Sequence, residues 1–128
     1  MNWNSSDAWL LQTIMQSTIR NSTADLSAII SVGDYINHAI FNWEEFRDGM
    51  ENLLRAKYVK ENKGAISLTA TFHKDYKAMG KAPKSMNKEY EFVQAFLQAK
   101  TTLLEGEKVK LNIGEKDFKL AVDKYLKR

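Results

Sequence analysis

His38 and His73 are the only imidazoles in this 128-residue chain, and a strand pair and a helix are expected between them. Neither falls in an H-E-x-x-H spacing, which sets two metal ligands on one helical face, so hydrolysis on a bound zinc has no scaffold here. His38 follows Asn37, with Asp34 one helical turn back. Three such groups suit a small polar notch, or more simply the capped end of a helix. Cysteine is absent, which removes disulfides, thiolate metal sites and thiol nucleophiles and allows a reducing compartment. No G-x-S-x-G elbow, phosphate-cradling glycine loop or dinucleotide fingerprint occurs. The residue types therefore predict no enzyme, no metal and no cofactor.

What remains is charge and its placement. From Met1 to Val59, four basic residues (Arg20, Arg47, Arg55, Lys57) face seven acidic ones, a net of −3, so Lys60 to Arg128 must carry +6 of the overall +3. Basic charge attracts phosphate backbones. Here Lys60 and Lys63, followed by Lys74, Lys77, Lys81 and Lys84, concentrate it after residue 59. A solvated, lysine-rich surface accounts for the same run.

These groups must be positioned by elements read from hydrophobic spacing. Ser5 or Ser6 is placed to cap a first helix carrying Leu10, Leu11, Ile14, Met15 and Ile19 and ending near Arg20. A second carries Leu26, Ile29, Ile30, Gly33 and Ile36, with Gly33 expected as a close-packing point, and fades between Asn37 and Phe41. A third opens on Asn42 with Glu45 three residues on, a capping box, and buries Phe46, Met50, Leu53 and Leu54. Tyr58 to Asn62 and Ala65 to Thr69 read as two strands around a turn at Gly64.

A fourth helix is expected from Ala70 to Met79, stopped by the segment Gly80 to Pro83, which marks the boundary between residues 1–80 and a helical extension over 81–128. In the extension, one long helix from Asn87 to Gly106 is expected, with Tyr90, Phe92, Val93, Phe96 and Leu97 on an apolar stripe too wide for one contact. These five are the candidate homodimer contacts. A short strand over Lys108 to Ile113 and a last helix from Glu115 complete the pattern. Trp3, Trp9, Tyr90, Phe92 and Phe96 also invite an effector pocket, although aromatics at helical spacing more often form core. With no apolar run of bilayer-spanning length and no leader pattern at Met1 to Ser6, a cytoplasmic protein without membrane contact is expected.

The order helix, helix, helix, strand, turn, strand, helix over Ser5 to Met79, about three-fifths of the chain, resembles the winged helix-turn-helix superfamily. Leu53 and Leu54, then Arg55 and Ala56, Tyr58 and Val59, and Ile66, Leu68 and Thr69 match its pattern of residue classes. Lys57 stands where that family often has glycine, so a lysine would adopt the left-handed cap. The resemblance implies a mainly α fold with a small β-hairpin wing. It also implies binding of double-stranded DNA in the manner of a transcription regulator, with the third helix as recognition helix. Trp43, Arg47 and Asn52 on that helix, with Lys60 and Lys63 on the wing, are the candidate contacts. The third helix also carries Glu44, Glu45, Asp48 and Glu51. The alternative is a winged-helix interaction module that docks this acidic helix on a protein partner. It is favoured if Glu44, Asp48 and Glu51 face solvent together.

Overall fold

A computed structural model describes residues 2–127. Three helices come first, α1 (Ser5–Ser17), α2 (Leu26–Asn37) and α3 (Trp43–Arg55), followed by a hairpin of β1 (Val59–Asn62) and β2 (Ala65–Leu68). Then come α4 (Ala70–Ala78), α5 (Met86–Gln98), a 3-10 turn over Thr101–Glu105, and α6 (Glu115–Leu126). The chain is thus mainly helical with one small antiparallel ribbon. No described helix is long and apolar enough to cross a membrane.

Helix α1 is the central element, with Leu10, Leu11 and Ile14 fully buried, and it packs against α2, α3, α5 and β2. Asn4, not Ser5 or Ser6, is its N-cap; the Asp7 carboxylate reaches back to accept the Asn4 amide hydrogen at 2.9 Å. The helix stops at Ser17 rather than near Arg20. There the hydroxyls of Ser17 and Thr18 turn back onto carbonyls four residues earlier and compete with further helix growth. On α2, Gly33 is a close-packing point as the spacing suggested. A Cβ built there would lie 2.5 Å from the ring of Phe41, which stacks on Trp9 with ring centres 3.7 Å apart. The Trp9 indole also donates to the Gly33 carbonyl at 3.1 Å.

Helix α3 opens on the full capping box: Asn42 Oδ1 accepts from the Glu45 amide at 2.8 Å, and the Glu45 carboxylate accepts from the Asn42 amide at 3.0 Å. It closes on a left-handed residue, Lys57 at φ 63°. The Lys57 amide donates to Leu54 O and the Tyr58 amide to Leu53 O, both at 3.0 Å, the paired closure of a Schellman motif. The hairpin pairs Val59 with Leu68 through Asn62 with Ala65. Its two-residue turn has positive φ at both Lys63 (53°) and Gly64 (86°), which matches the right-handed twist of the strands. Ala24, in the α1–α2 connection, exchanges two 2.8 Å backbone hydrogen bonds with Ile66 and so borders the far side of β2.

Two expectations for the C-terminal part are corrected. The long helix from Asn87 to Gly106 is broken after Gln98. The Lys100 carbonyl is drawn to the Trp3 indole, the Gln98 amide donates to the Trp3 carbonyl, and the consecutive threonines Thr101 and Thr102 propagate helix poorly. The segment Lys108 to Ile113 is not a strand. Leu111 and Ile113 are buried as their alternation requires while Val109 is exposed, and among the described residues no neighbouring strand pairs with them.

Residues beyond 80 share the core of those before it. Helix α5 lies on α1, and α6 lies on α2 and α3. Gln12 donates to the Met86 carbonyl and to Glu89, and Gln16 also donates to Glu89. Tyr58, Phe72, Tyr76 and Phe96 form an aromatic group with centres 5.1 to 5.9 Å apart. The Tyr58 hydroxyl donates to Asp75 at 2.9 Å; burial, then that carboxylate, pushes the phenol pKa well above its usual range.

Candidate interaction surface of the third helix and hairpin

Helix α3 buries Phe46, Gly49, Met50, Asn52 and Leu53, so its remaining positions are set outward by the helical repeat. Glu44 and Asp48 are exposed and Glu51 is half-exposed; spaced four and three residues apart, they form a single line along the helix. Arg47 lies beside this line, and its Nε donates to Asp48 Oδ1 at 2.9 Å. That hydrogen bond and the Asp48 charge, supported by Glu51 and Glu44, raise the guanidinium pKa further. The exposed middle of α3 therefore presents three carboxylates and one arginine already engaged by one of them. At the helix end, Arg55 Nη1 donates to the Leu104 carbonyl at 2.6 Å and ties the 3-10 turn to α3.

The five expected contacts separate in space. Asn52 is inside the protein: its side-chain amide donates to Asp7 Oδ2 at 3.2 Å, and it is withdrawn from the surface reading. Asp7 itself is wholly buried, and burial is the largest cause of its raised carboxyl pKa. Trp43 is half-buried, its ring tilted against Phe46 and Phe118 at 6.2 and 5.7 Å. Arg47 stays at the surface in its pair with Asp48. Lys60 and Lys63 are exposed on the hairpin, and neither makes an ion pair among the described residues.

The expected dimer contacts fare differently. Val93, Phe96 and Leu97 are buried against the chain's own core, so they are removed from any contact with a second copy. Their stripe looked too wide because two faces of α5 are covered intramolecularly. Phe92 is half-buried and meets Tyr76 edge to face at 5.4 Å, while the Tyr90 hydroxyl donates to the Ser5 carbonyl. The aromatic residues suggested for an effector pocket do not converge either. Trp9 and Tyr90 line an open cleft of about 620 Å³, but Trp3 and Phe96 are packed in the core. His38 caps α2 in the left-handed conformation, and Asp34 accepts from Tyr125 at 2.6 Å. The polar notch is thus a helix end locked to α6. Among the described residues no cluster of His, Asp or Glu is arranged to hold a metal.

Sequence reasoning missed the partners of Trp43. Phe118, stacked on Phe46 with centres 4.9 Å apart, lies 75 positions after Trp43 in the chain, and only the apolar spacing of α6 hinted that it faces inward. Comparison of the chain with family models, with curated proteins and with solved structures gives no significant match.

Proposed function

We propose that this chain is a winged helix-turn-helix domain that serves as a protein-interaction module, docking a basic partner segment on the exposed acidic line of α3. The fold assignment is supported by three helices followed directly by a hairpin, and by the left-handed Lys57 between α3 and β1. One observation carries the functional reading: Glu44, Asp48 and Glu51 lie together on the outward face of α3, and the arginine among them is neutralised by Asp48. A helix inserted in a DNA groove in this state would set carboxylates against phosphates, whereas affinity for duplex DNA rests on basic contacts that release counterions. A basic protein surface meets the same face favourably.

The test is binding of a basic peptide to the full chain at low salt, alongside a duplex DNA probe. Asp48→Lys with Glu51→Lys is expected to abolish peptide binding. Peptide binding that survives this double reversal overturns the reading, as does a salt-sensitive DNA shift by the wild-type chain that requires Arg47.

The hairpin favours a second reading, binding of the phosphate backbone of duplex DNA as a transcription regulator does. Lys57, Lys60 and Lys63 are exposed, with Lys60 on β1 and Lys63 in the two-residue turn that follows it. On that reading Lys60→Glu with Lys63→Glu weakens a DNA shift seen at low salt and reduces its salt slope. Absence of any shift by the wild-type chain rejects it.

A further inference from the structure

Where the start of α3 meets α6, the surface opens into a cleft of about 360 Å³. Its floor is apolar, formed by Trp43, Phe118 and Val122, and its rim carries Glu44, Glu115 and Asp123. The single cation in the cleft, Lys119, is already held by Glu115 at 2.7 Å. Glu44 and Asp123 make no ion pair among the described residues. Glu44 acts on Lys119 and Arg47 only at longer range, without a direct ion pair to either, and an aromatic floor under such carboxylates has a definite complement: a side chain with an apolar stem and a cationic head. The stem covers the indole and the valine, and the head lies between Glu44 and Asp123, with an attraction to the Trp43 ring of the cation–π kind. A guanidinium suits this place better than an ammonium, because it is less strongly hydrated, stacks on aromatic faces and donates through a planar fork.

We propose that this cleft is the anchor pocket for an arginine side chain of the basic segment that docks on α3. The inference rests on the interaction-module reading above and adds to it the subsite and the residue it takes. Glu44 belongs to both the cleft and the acidic line of α3, so an arginine seated at Trp43 leaves the following basic residues of the same segment beside Asp48 and Glu51. Charge complementarity therefore continues from the pocket along the helix. The partner is a peptide segment and not free arginine, because the pocket alone offers only one side chain's worth of contact.

Tryptophan emission reads the site directly. Trp3 and Trp9 are 4% and 6% exposed, while Trp43 is half-buried, so quenching by acrylamide reports mainly on Trp43. The probe is a capped decapeptide of alternating arginine and alanine, titrated into the full chain at low salt, with the citrulline analogue as its neutral isostere. Binding is expected to protect Trp43 from acrylamide, and the citrulline peptide is expected not to bind. Glu44→Gln with Asp123→Asn is expected to weaken binding by about five- to tenfold. Glu105→Gln with Glu107→Gln, which removes exposed carboxylates elsewhere, is expected to change it little. Far-UV circular dichroism verifies the fold of each variant, and the citrulline comparison on the wild-type chain needs no variant. If the peptide binds in a manner sensitive to Asp48→Lys but leaves Trp43 quenching and the cleft variants unaffected, the pocket is overturned and the docking helix stands. If no peptide binds at low salt, both are overturned.

Discussion

Adding one methyl group at Gly33 tests the closest approach made at any glycine of the chain. A Cβ there would lie 2.5 Å from Phe41 Cε2, 3.1 Å from Cδ2 and 3.5 Å from Cζ. For ordinary contact, the Phe41 ring must retreat by about 1 Å. It has little room, since it is 2% exposed and is stacked on Trp9 at 3.7 Å. Trp9 is itself held by the hydrogen bond from its indole to the Gly33 carbonyl. Overpacking of this kind costs about 1–3 kcal/mol. Against it stands the gain of alanine over glycine within a helix, about 1 kcal/mol. The balance is a loss of up to about 2 kcal/mol, read in a chain of this size as a fall in Tm of up to about 10 °C. Thermal denaturation followed by near-UV circular dichroism checks both stability and the Trp9 environment. A Gly33→Ala chain more stable than the wild type by about 1 kcal/mol, with an unaltered near-UV spectrum, refutes the packing argument, because that is the gain helix propensity alone predicts.

Lys57→Gly relieves a side chain held at φ 63° and is expected to stabilise the fold by about 0.5–1 kcal/mol in urea denaturation; a loss of stability there contradicts the strain assigned to it. Phe96, ringed by Tyr58, Phe72 and Tyr76, is core: Phe96→Ala is expected to cost about 3–5 kcal/mol. The wild-type Tm is expected to be independent of protein concentration, whereas a dimer held through α5 would melt at higher temperature as concentration rises. Asp7, whose carboxyl is pushed above the usual carboxylate range by burial first and by the Asp48 charge among smaller causes, binds its proton more readily in the folded chain than in the unfolded one. Its penalty is absent below the unfolded pKa and grows as pH rises through the folded one. Asp7→Asn removes that titration, so its stability relative to wild type is expected to rise between pH 4 and pH 7 in urea denaturation. A difference that does not vary with pH rejects the assignment.

Features set by neighbours in sequence were readable in advance. Asn42 and Glu45 lie three residues apart, so their reciprocal hydrogen bonds need only a helix to exist. The strained cap at Lys57 and the turn at Gly64 follow from local backbone demands in the same way. Pairings across the chain were not readable. Asn52 looks like a surface amide until Asp7, 45 positions earlier, is brought against it. The break after Gln98 depends on Trp3, which reaches Lys100 from the other end of the chain. At Lys108 to Ile113 the alternation held in burial only at Leu111 and Ile113, while Val109 is exposed. A strand also needs a hydrogen-bonding neighbour, and alternation says nothing about that. The acidic composition of α3 was plain from the sequence, but the outward alignment of Glu44, Asp48 and Glu51 required knowing which face the core claims.

The seating of α5 on α1 has a consequence for synthesis on the ribosome. Helix α1 emerges early, yet Gln12 finds its partners only at Met86 and Glu89, and Trp3 finds its own only at Lys100. At a translation rate of about 5–20 residues per second, α1 waits roughly 4–16 s for α5 to be made. Through that interval Leu10, Leu11 and Ile14 lack part of their final cover, and the nascent chain presents an apolar helix to whatever surrounds the tunnel exit. The three-helix part and the hairpin thus reach their finished packing only after α5 and α6 have been made, so the timing of their assembly is governed by elements translated well after them.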